Sequence, residues 1–379
     1  MAERIKTNSP KNWQTYVFIY KIQHKEFMAV MKKRLPIIHA DRDENNFPLP
    51  KKVVGVIGRM DQNTIGFYRK NDPLVGRIAA EHKITEDRVF LGQGAEGVIN
   101  QVFDSIMKTN PNVLLPSLGY SLYFDIARAR GANIDTFRFV EGANSYYYDV
   151  RDVVSRLSQK PGLLVLIDPE SPLGFSIKKK DLDAILEKTE GNTVVILDQA
   201  HEGVRTGEVK SIKELVGNYP NLIVVRSFSK LYGLASLRIG YAVCGEKAGR
   251  NLTLPSNRLG FPGITQDMAI AALDSKDEYG KIARQARKQK RKFNEAVGKM
   301  RNYGVHETDH LSCMVKVPEN YNKTLIKLAE ARNIRIRNLV DYHPELNWLY
   351  RVTIGPEEQT VRLIELFQAV DSSMAKRLK

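Results

Sequence analysis

The sequence predicts an α/β protein: a large domain built on a mostly parallel mixed sheet flanked by helices, then a smaller α+β domain at the C-terminal end. Three observations carry that prediction. Between about residues 75 and 245, short apolar runs alternate with helical patterns, as in a parallel sheet buried on both faces. Gly92, Pro116, Asp168, Asp198 and Ser227 each end or follow one of those runs. Past the Pro- and Gly-containing segment Leu254–Ile264, the alternation gives way to one long helix, a few strand patterns and a final helix.

The strand candidates are Val89–Leu91, Val113–Leu115, Ile134–Phe139, Leu163–Ile167, Val194–Leu197, Leu222–Val225 and Ile239–Val243. Helical spacing between them places helices at Glu96–Met107, Tyr120–Arg130, Val150–Leu157 and Leu182–Lys188. Upstream, residues 1 to about 40 read as an arm and a helix with basic Val30–Arg34, followed by the turn-rich Asp41–Pro50. Downstream, Ile282, Ala286, Phe293 and Val297 form the apolar stripe of a long helix, leaving Lys281, Arg284, Arg287, Lys288, Lys290 and Arg291 as its solvated face. Strands are expected near Met314–Val317, Arg335–Arg337 and Tyr350–Ile354. A last helix starts near Glu357 and turns Val361, Ile364 and Phe367 inward. The expected division is an N-terminal segment over 1–45, a large domain over 46–255 and a small domain over 256–379.

Composition excludes several classes. With 379 residues, 42% hydrophobic and 27% charged, the chain suits a globular protein with substantial cores. No apolar run approaches the roughly 18–20 residues a membrane span needs, and no apolar signal core follows the first charges. The two cysteines, Cys244 and Cys313, form no CxxC or Cys/His cluster, so neither a disulfide framework nor a metal site is indicated, and a cytoplasmic location is expected. The net charge of +15 raises nucleic acid as a partner. No recognition motif accompanies it, so nucleic acid is not expected.

The chemistry-bearing residues fall at strand ends, where ligands bind in open α/β sheets. Lys230 lies in Ser227-Phe-Ser-Lys, just past an apolar strand, with Arg238 eight positions on. An amine for a Schiff base, two hydroxyls and a guanidinium for a phosphate together read as a pyridoxal 5′-phosphate lysine. Asp198 closes Val-Val-Ile-Leu-Asp, 32 residues earlier. A lone strand-end aspartate often caps the next segment; here, one strand from such a lysine, it suits the cofactor's pyridinium nitrogen, keeping the ring an electron sink. Gly92-Gln-Gly-Ala95-Glu96 joins a strand to a helix, so its free amides could complete a phosphate cup. Tyr120 could stack on a ring or serve as a core or interface tyrosine. Arg351, with Arg337 on a neighbouring strand, could bind a substrate carboxylate or form a structural ion pair.

On these residues the chain resembles the class I/II, fold-type I pyridoxal-phosphate-dependent aminotransferases, and among them the histidinol-phosphate aminotransferase-like branch. The likeness runs from about Asp43 to Phe367 and is most specific over Ser227–Arg238. It implies the PLP-transferase type I fold, with Lys230 bonded to the cofactor and Asp198 at the pyridine nitrogen. Ala95, Glu96, Ser227, Ser229 and Arg238 would hold the phosphate, Tyr120 would stack on the ring, and Arg351 would take the substrate carboxylate. Tyr68 is similar to a tyrosine that reaches the partner subunit's phosphate, which implies a homodimer with shared active sites. Two positions depart from the pattern. Ser171, in Asp168-Pro-Glu-Ser-Pro, replaces an asparagine, and His201, in Asp198-Gln-Ala-His, replaces a tyrosine. Both would face the cofactor's phenolic oxygen. Serine and a neutral histidine can each donate there, with an altered pKa of the lysine linkage as the expected consequence.

The function expected from these residues is transamination between an amino acid or amino-alcohol phosphate (histidinol-phosphate-like or aromatic) and a 2-oxo acid. A decarboxylase, lyase or cyclase on the same cofactor is the alternative, since sequence spacing does not set which bond stands perpendicular to the ring. A non-catalytic descendant is the third reading.

Overall fold

The computed structural model describes residues 36–69, 72–189, 193–205, 209–251 and 260–377. The arm and helix expected before residue 36, and most of the Leu254–Ile264 connector, lie outside the described residues. Seven strands form the main sheet: β1 (Val89–Gln93), β2 (Asn112–Pro116), β3 (Asn133–Phe137), β4 (Leu163–Ile167), β5 (Val194–Asp198), β6 (Leu222–Ser227) and β7 (Ile239–Cys244), in the order β1-β7-β6-β5-β4-β2-β3. Only β7 runs antiparallel to its neighbours. The expected Ile134–Phe139 strand is broken: β3 ends at Phe137, and Phe139–Glu141 pairs instead with Tyr146–Tyr148.

The apolar runs are near-continuous because both sheet faces are covered. On β4, Leu164 and Leu166 join one core, while Leu163, Val165 and Ile167 join the other. The strand period of two assigns alternate residues to opposite layers. Helices α1 (Pro73–His82), α2 (Gly94–Ile106), α3 (Ser121–Ala129), α4 (Val150–Leu157), α5 (Lys179–Leu186) and α6 (Ile212–Asn218) intervene. α2 turns Val98, Ile99, Val102, Phe103 and Ile106 onto the sheet, at the spacing of one helical face.

Helix α7 (Gly263–Leu273) leads into the 23-residue α8 (Lys276–Gly298). α8 joins the two cores: Tyr279, Ile282 and Ala286 pack with the larger, and Phe293 and Val297 with the smaller. Its basic residues are mostly solvated, with one correction. Lys290 is buried, because its ammonium donates to the carbonyls of Thr308 (2.6 Å) and His310 (2.5 Å). The small sheet comprises β8 (Gly304–His306), β9 (Ser312–Lys316), β10 (Arg337–Asn338) and β11 (Leu349–Thr353), in the order β8-β9-β11-β10. α9 (Asn322–Ala331) and α10 (Glu357–Arg377) cover it. On α10 the inward residues are Leu363, Ile364, Leu366 and Phe367, whereas Val361 is only half-buried. Ile38 and Ala40 also belong to the small core, which carries the next residues, Asp41–Asn46, across toward the large sheet.

Candidate active site

At the carboxyl ends of β5 and β6, a cavity of about 310 Å³ is walled by both cores' loops. Lys230 is on its surface, three residues past the end of β6. The turn that presents it is tied at both ends. Ser229 N–H donates to Ser227 Oγ at 3.0 Å, and Gly233 N–H donates to the Lys230 carbonyl at 2.9 Å. Gly233 takes φ +67°, a conformation that favours glycine. Asn45 reaches across from the N-terminal segment and donates to the Leu231 carbonyl at 2.6 Å. Burial lowers the Lys230 amine pKa, opposed by the Asp43 carboxylate and assisted by Arg351. That shift favours the uncharged amine a nucleophile requires.

One end of the cavity is an anion cradle. β1 runs directly into α2, whose first residue, Gly94, has φ +70°, and a Cβ there would stand 2.7 Å from Arg238 Nη2. The positive φ favours glycine at this position, and the Arg238 guanidinium packs close over it. Gly94 N–H donates to the Arg238 carbonyl at 2.9 Å, locking the α2 N-terminus to the start of β7. Ala95, Glu96, Ser227, Ser229 and Arg238 all line this end. Free amides of the first turn, the helix dipole, two hydroxyls and a guanidinium suit a phosphate. Arg238 meanwhile contacts Glu96 Oε2 at 3.4 Å, a half-exposed pair that a stronger anion can displace.

Asp198, the last residue of β5, is buried on the cavity wall. Its Oδ2 accepts from the Tyr123 hydroxyl at 2.7 Å, and its Oδ1 accepts from Ala200 N–H at 2.8 Å. Burial raises its pKa, and those two donors offset the rise only in part. Such a carboxylate lacks a strong cation and suits a positive ring nitrogen placed against it. Sequence reading missed Tyr123. Its one signal was a tyrosine on the buried face of α3, indistinguishable there from a core residue.

His201 and Ser171 also line the cavity. His201 Nδ1 lies 2.6 Å from Oδ2 of Asp43, which is fully buried. Asp43 also accepts from the Ser312 hydroxyl, and its N–H donates to Thr353 Oγ1 at 2.8 Å. Burial alone would raise the Asp43 carboxyl pKa, but the imidazoles of His310 and His201 outweigh it and hold it well below its usual range. A carboxylate offers no proton, so Nδ1 carries it. With its proton on Nδ1, a neutral His201 presents an accepting Nε2 to the cavity.

At the cavity mouth, Arg337 and Arg351 stand directly opposite each other on β10 and β11. Like charges in that position are destabilising unless something pairs with them. The Tyr342 ring lies against both guanidiniums, 5.4 and 5.5 Å from their carbons. Its hydroxyl accepts from Arg337 Nη1 (3.3 Å) and Arg351 Nη2 (3.1 Å). Arg351 is buried and Nη2 also donates to the Asp41 carbonyl at 2.9 Å, but its Nε has no partner among the described residues. An unpaired buried donor beside a second arginine suits a carboxylate or phosphate. Tyr120 lines the same cavity, its ring 6.3 Å from that of Tyr342.

Not every strand-end residue converges. Asp168 turns away and pairs with Arg205 Nη1 at 3.0 Å while accepting from Ile177 N–H at 2.9 Å. Gly92 serves packing, since a Cβ there would meet Val98 at 2.6 Å. Tyr68 is exposed and stands apart from the residues lining the cavity. Tyr342 and Arg42 line it without having been read from sequence, as does Glu44, whose segment Asp43-Glu-Asn-Asn-Phe-Pro resembles a family motif. A larger cleft of about 580 Å³ is lined instead by residues such as Tyr147, Arg287 and Asp309, so size alone does not mark the site. The amine, the anion cradle and the opposed carboxylate fit pyridoxal phosphate, whose aldehyde, phosphate and ring nitrogen need those three partners.

The family model for aminotransferase class I and II matches residues 59–367. A histidinol-phosphate aminotransferase 2 of Archaeoglobus fulgidus is 32% identical over 288 residues, covering 75% of this chain and 78% of that protein. A histidinol-phosphate aminotransferase of Methanococcus maripaludis is 25% identical over 304 residues, covering 79% and 80%. The fold is shared with the crystal structure of histidinol-phosphate aminotransferase from Sinorhizobium meliloti in complex with pyridoxal-5′-phosphate, at TM-score 0.77 and 19% identity over 89% of this chain and 91% of that one.

Proposed function

The chain belongs to the class I and II aminotransferases, and on that premise we propose that it moves an amino group between a phosphorylated or aromatic amine and a 2-oxo acid, using pyridoxal phosphate at Lys230. The observation that carries this is the shared cavity: Lys230, Asp198, the α2 anion cradle and the Arg337–Arg351 pair surround one space. When bound, pyridoxal phosphate supplies an aldehyde that takes up the amine and a ring that draws electrons from the carbon losing its proton.

The remaining work falls to this chain's side chains. Ala95 and Glu96 amides, Ser227, Ser229 and Arg238 hold the phosphate. Asp198, oriented by Tyr123, keeps the ring nitrogen protonated. Ser171 and His201 would contact the phenolic oxygen, and Tyr120 would stack on the ring. Lys230, uncharged through burial, removes the substrate's α-proton and returns it one carbon away. Arg351 and Arg337 anchor the substrate's anionic group. The names of the relatives support histidinol phosphate as substrate, over the decarboxylase, lyase and cyclase readings, and the family resemblance implies glutamate and 2-oxoglutarate as the partner pair. The exposed Tyr68 supports a homodimer in which it reaches the partner's phosphate site. Two free buried cysteines accord with a cytoplasmic location. Among the described residues, no helix is long and apolar enough to cross a membrane.

The test is a visible spectrum of the protein loaded with pyridoxal phosphate, followed as histidinol phosphate, then aromatic amino acids, are added without acceptor. The expected result is loss of the visible band with stoichiometric pyridoxamine phosphate. Carbon dioxide release, or turnover without an oxo acid, would overturn transamination.

A further inference from the structure

Beside the cavity, Asp43 and His201 form more acid–base machinery than anion binding needs. Asp43 is fully buried, 2.6 Å from His201 Nδ1, and lies close enough to Lys230 to act on its charge. Two hydroxyls complete its shell: Ser312 donates to it, and Ser312 Oγ and Thr353 Oγ1 are 2.9 Å apart.

The second histidine does not compete for the proton. His310 Nδ1 accepts from Ser312 N–H at 3.2 Å, and its Nε2 faces the Pro172 carbonyl at 3.4 Å. One acceptor nitrogen and one donor nitrogen fix it as a neutral ring, and burial lowers its pKa to about 3. Its Nδ1 lies 3.8 Å from Asp43, a separation that carries no ion pair while that nitrogen is an acceptor. The neighbouring Lys290 ammonium is committed to two carbonyls.

His201 differs. Its Nε2 makes no hydrogen bond among the described residues, and the side chain borders the Lys230 cavity. Burial lowers the pKa of this ring and Lys230 lowers it further, while Asp43 and Asp198 favour its cation without cancelling the fall; beyond them, Arg351 and Lys290 act on His310, and Glu44 and Tyr342 on Lys230. His201 and Lys230 therefore compete for positive charge at one carboxylate.

We propose that Asp43 is a positioning residue that holds the proton on His201 Nδ1, so that Nε2 takes up a proton when Lys230 is uncharged and releases it when Lys230 becomes an ammonium. One proton moves and no other bond changes: the N–H formed at Nε2 is balanced by the N–H lost at Lys230 or by a proton from water. The cavity keeps one positive charge while its lysine changes state. This inference rests on the reading of Lys230 as the reacting amine.

The experiment follows the imidazole nitrogens by NMR in cofactor-free, ¹⁵N-histidine-labelled protein, with His201 assigned through His201→Gln. The expected spectrum above its titration shows His201 protonated at Nδ1 and bare at Nε2. Its midpoint should rise in Lys230→Met, which removes a competing cation, and fall in Asp43→Asn, each by about one to three pH units. An Nε2-protonated ring, or a midpoint that Lys230→Met leaves in place, would overturn the proposal. If Asp43→Asn does not fold, the wild-type tautomer and the Lys230→Met shift still decide it. A wild type that gains no visible band with pyridoxal phosphate would instead overturn the cofactor reading, while these nitrogen shifts would stand.

Discussion

Two buried aspartates serve one cavity, Asp198 lining it and Asp43 contacting His201 on its wall, and their carboxyls are pushed in opposite directions. Asp198 sits among neutral donors, a tyrosine hydroxyl and a backbone amide, and burial raises its pKa. Asp43 sits against imidazoles, and they hold it well below its usual range despite complete burial. Burial sets the cost, while the partner decides the sign. Asp198 is complete only with a cation from outside the chain, whereas the Asp43 carboxylate already has an imidazole and a hydroxyl from the chain itself. That asymmetry supports the proposed pairing of the cofactor's ring nitrogen with Asp198 and the proposed proton handling by Asp43 and His201.

The largest break in this comparison removes the lysine of the same cavity. Lys230→Ala should lower kcat/KM by about 10⁴-fold in the transamination assay; a loss below tenfold would place the chemistry elsewhere. Next, Asp198→Asn keeps the shape but loses the charge meant for the ring, and should lower kcat by about 100-fold. Equal rates for Asp198→Asn and wild type would remove the distinction between the two aspartates.

The third prediction concerns stability. His310 is neutral in the fold, with its pKa lowered from 6.5 to about 3. Between those values the unfolded chain binds the extra proton, so stability is fully present above about pH 6.5 and falls as pH drops toward 3. His310 alone contributes a slope of about 1.4 kcal/mol per pH unit there. Denaturant unfolding should show a shallower acid limb for His310→Gln. An unchanged slope would mean that the ring is not held neutral. The smallest effect is expected for Tyr123→Phe, about 1–2 kcal/mol of stability from the lost hydrogen bond to Asp198. Asp198 should then be harder to ionise, and a protein as stable as wild type would contradict that role for Tyr123.

The surroundings of the two aspartates also differ in how far they could be read from sequence. Asp198, Ser227, Ser229 and Lys230 end or follow apolar strands and Arg238 leads into one, so local pattern locates them: β4 occupies Leu163–Ile167 as expected, and Asp198 ends β5. The Asp43 cluster depends on Ser312 and Thr353, 269 and 310 residues away in sequence, and no periodicity reports such contacts. Lys290 misled for the same reason. A basic residue on a basic helix reads as solvated until the Thr308 and His310 carbonyls are brought to it by a later loop. Asp168 looked equivalent to Asp198 at its strand end, and only the fold shows Arg205 taking it out of the cavity.

The account rests on Lys230 as the amine that bonds the cofactor. Borohydride reduction of the pyridoxal-phosphate-loaded protein, followed by peptide mass spectrometry, tests this directly. The predicted result is one phosphopyridoxyl group per chain, on Lys230. A label on another lysine, or no label in protein that shows the visible band, would contradict it.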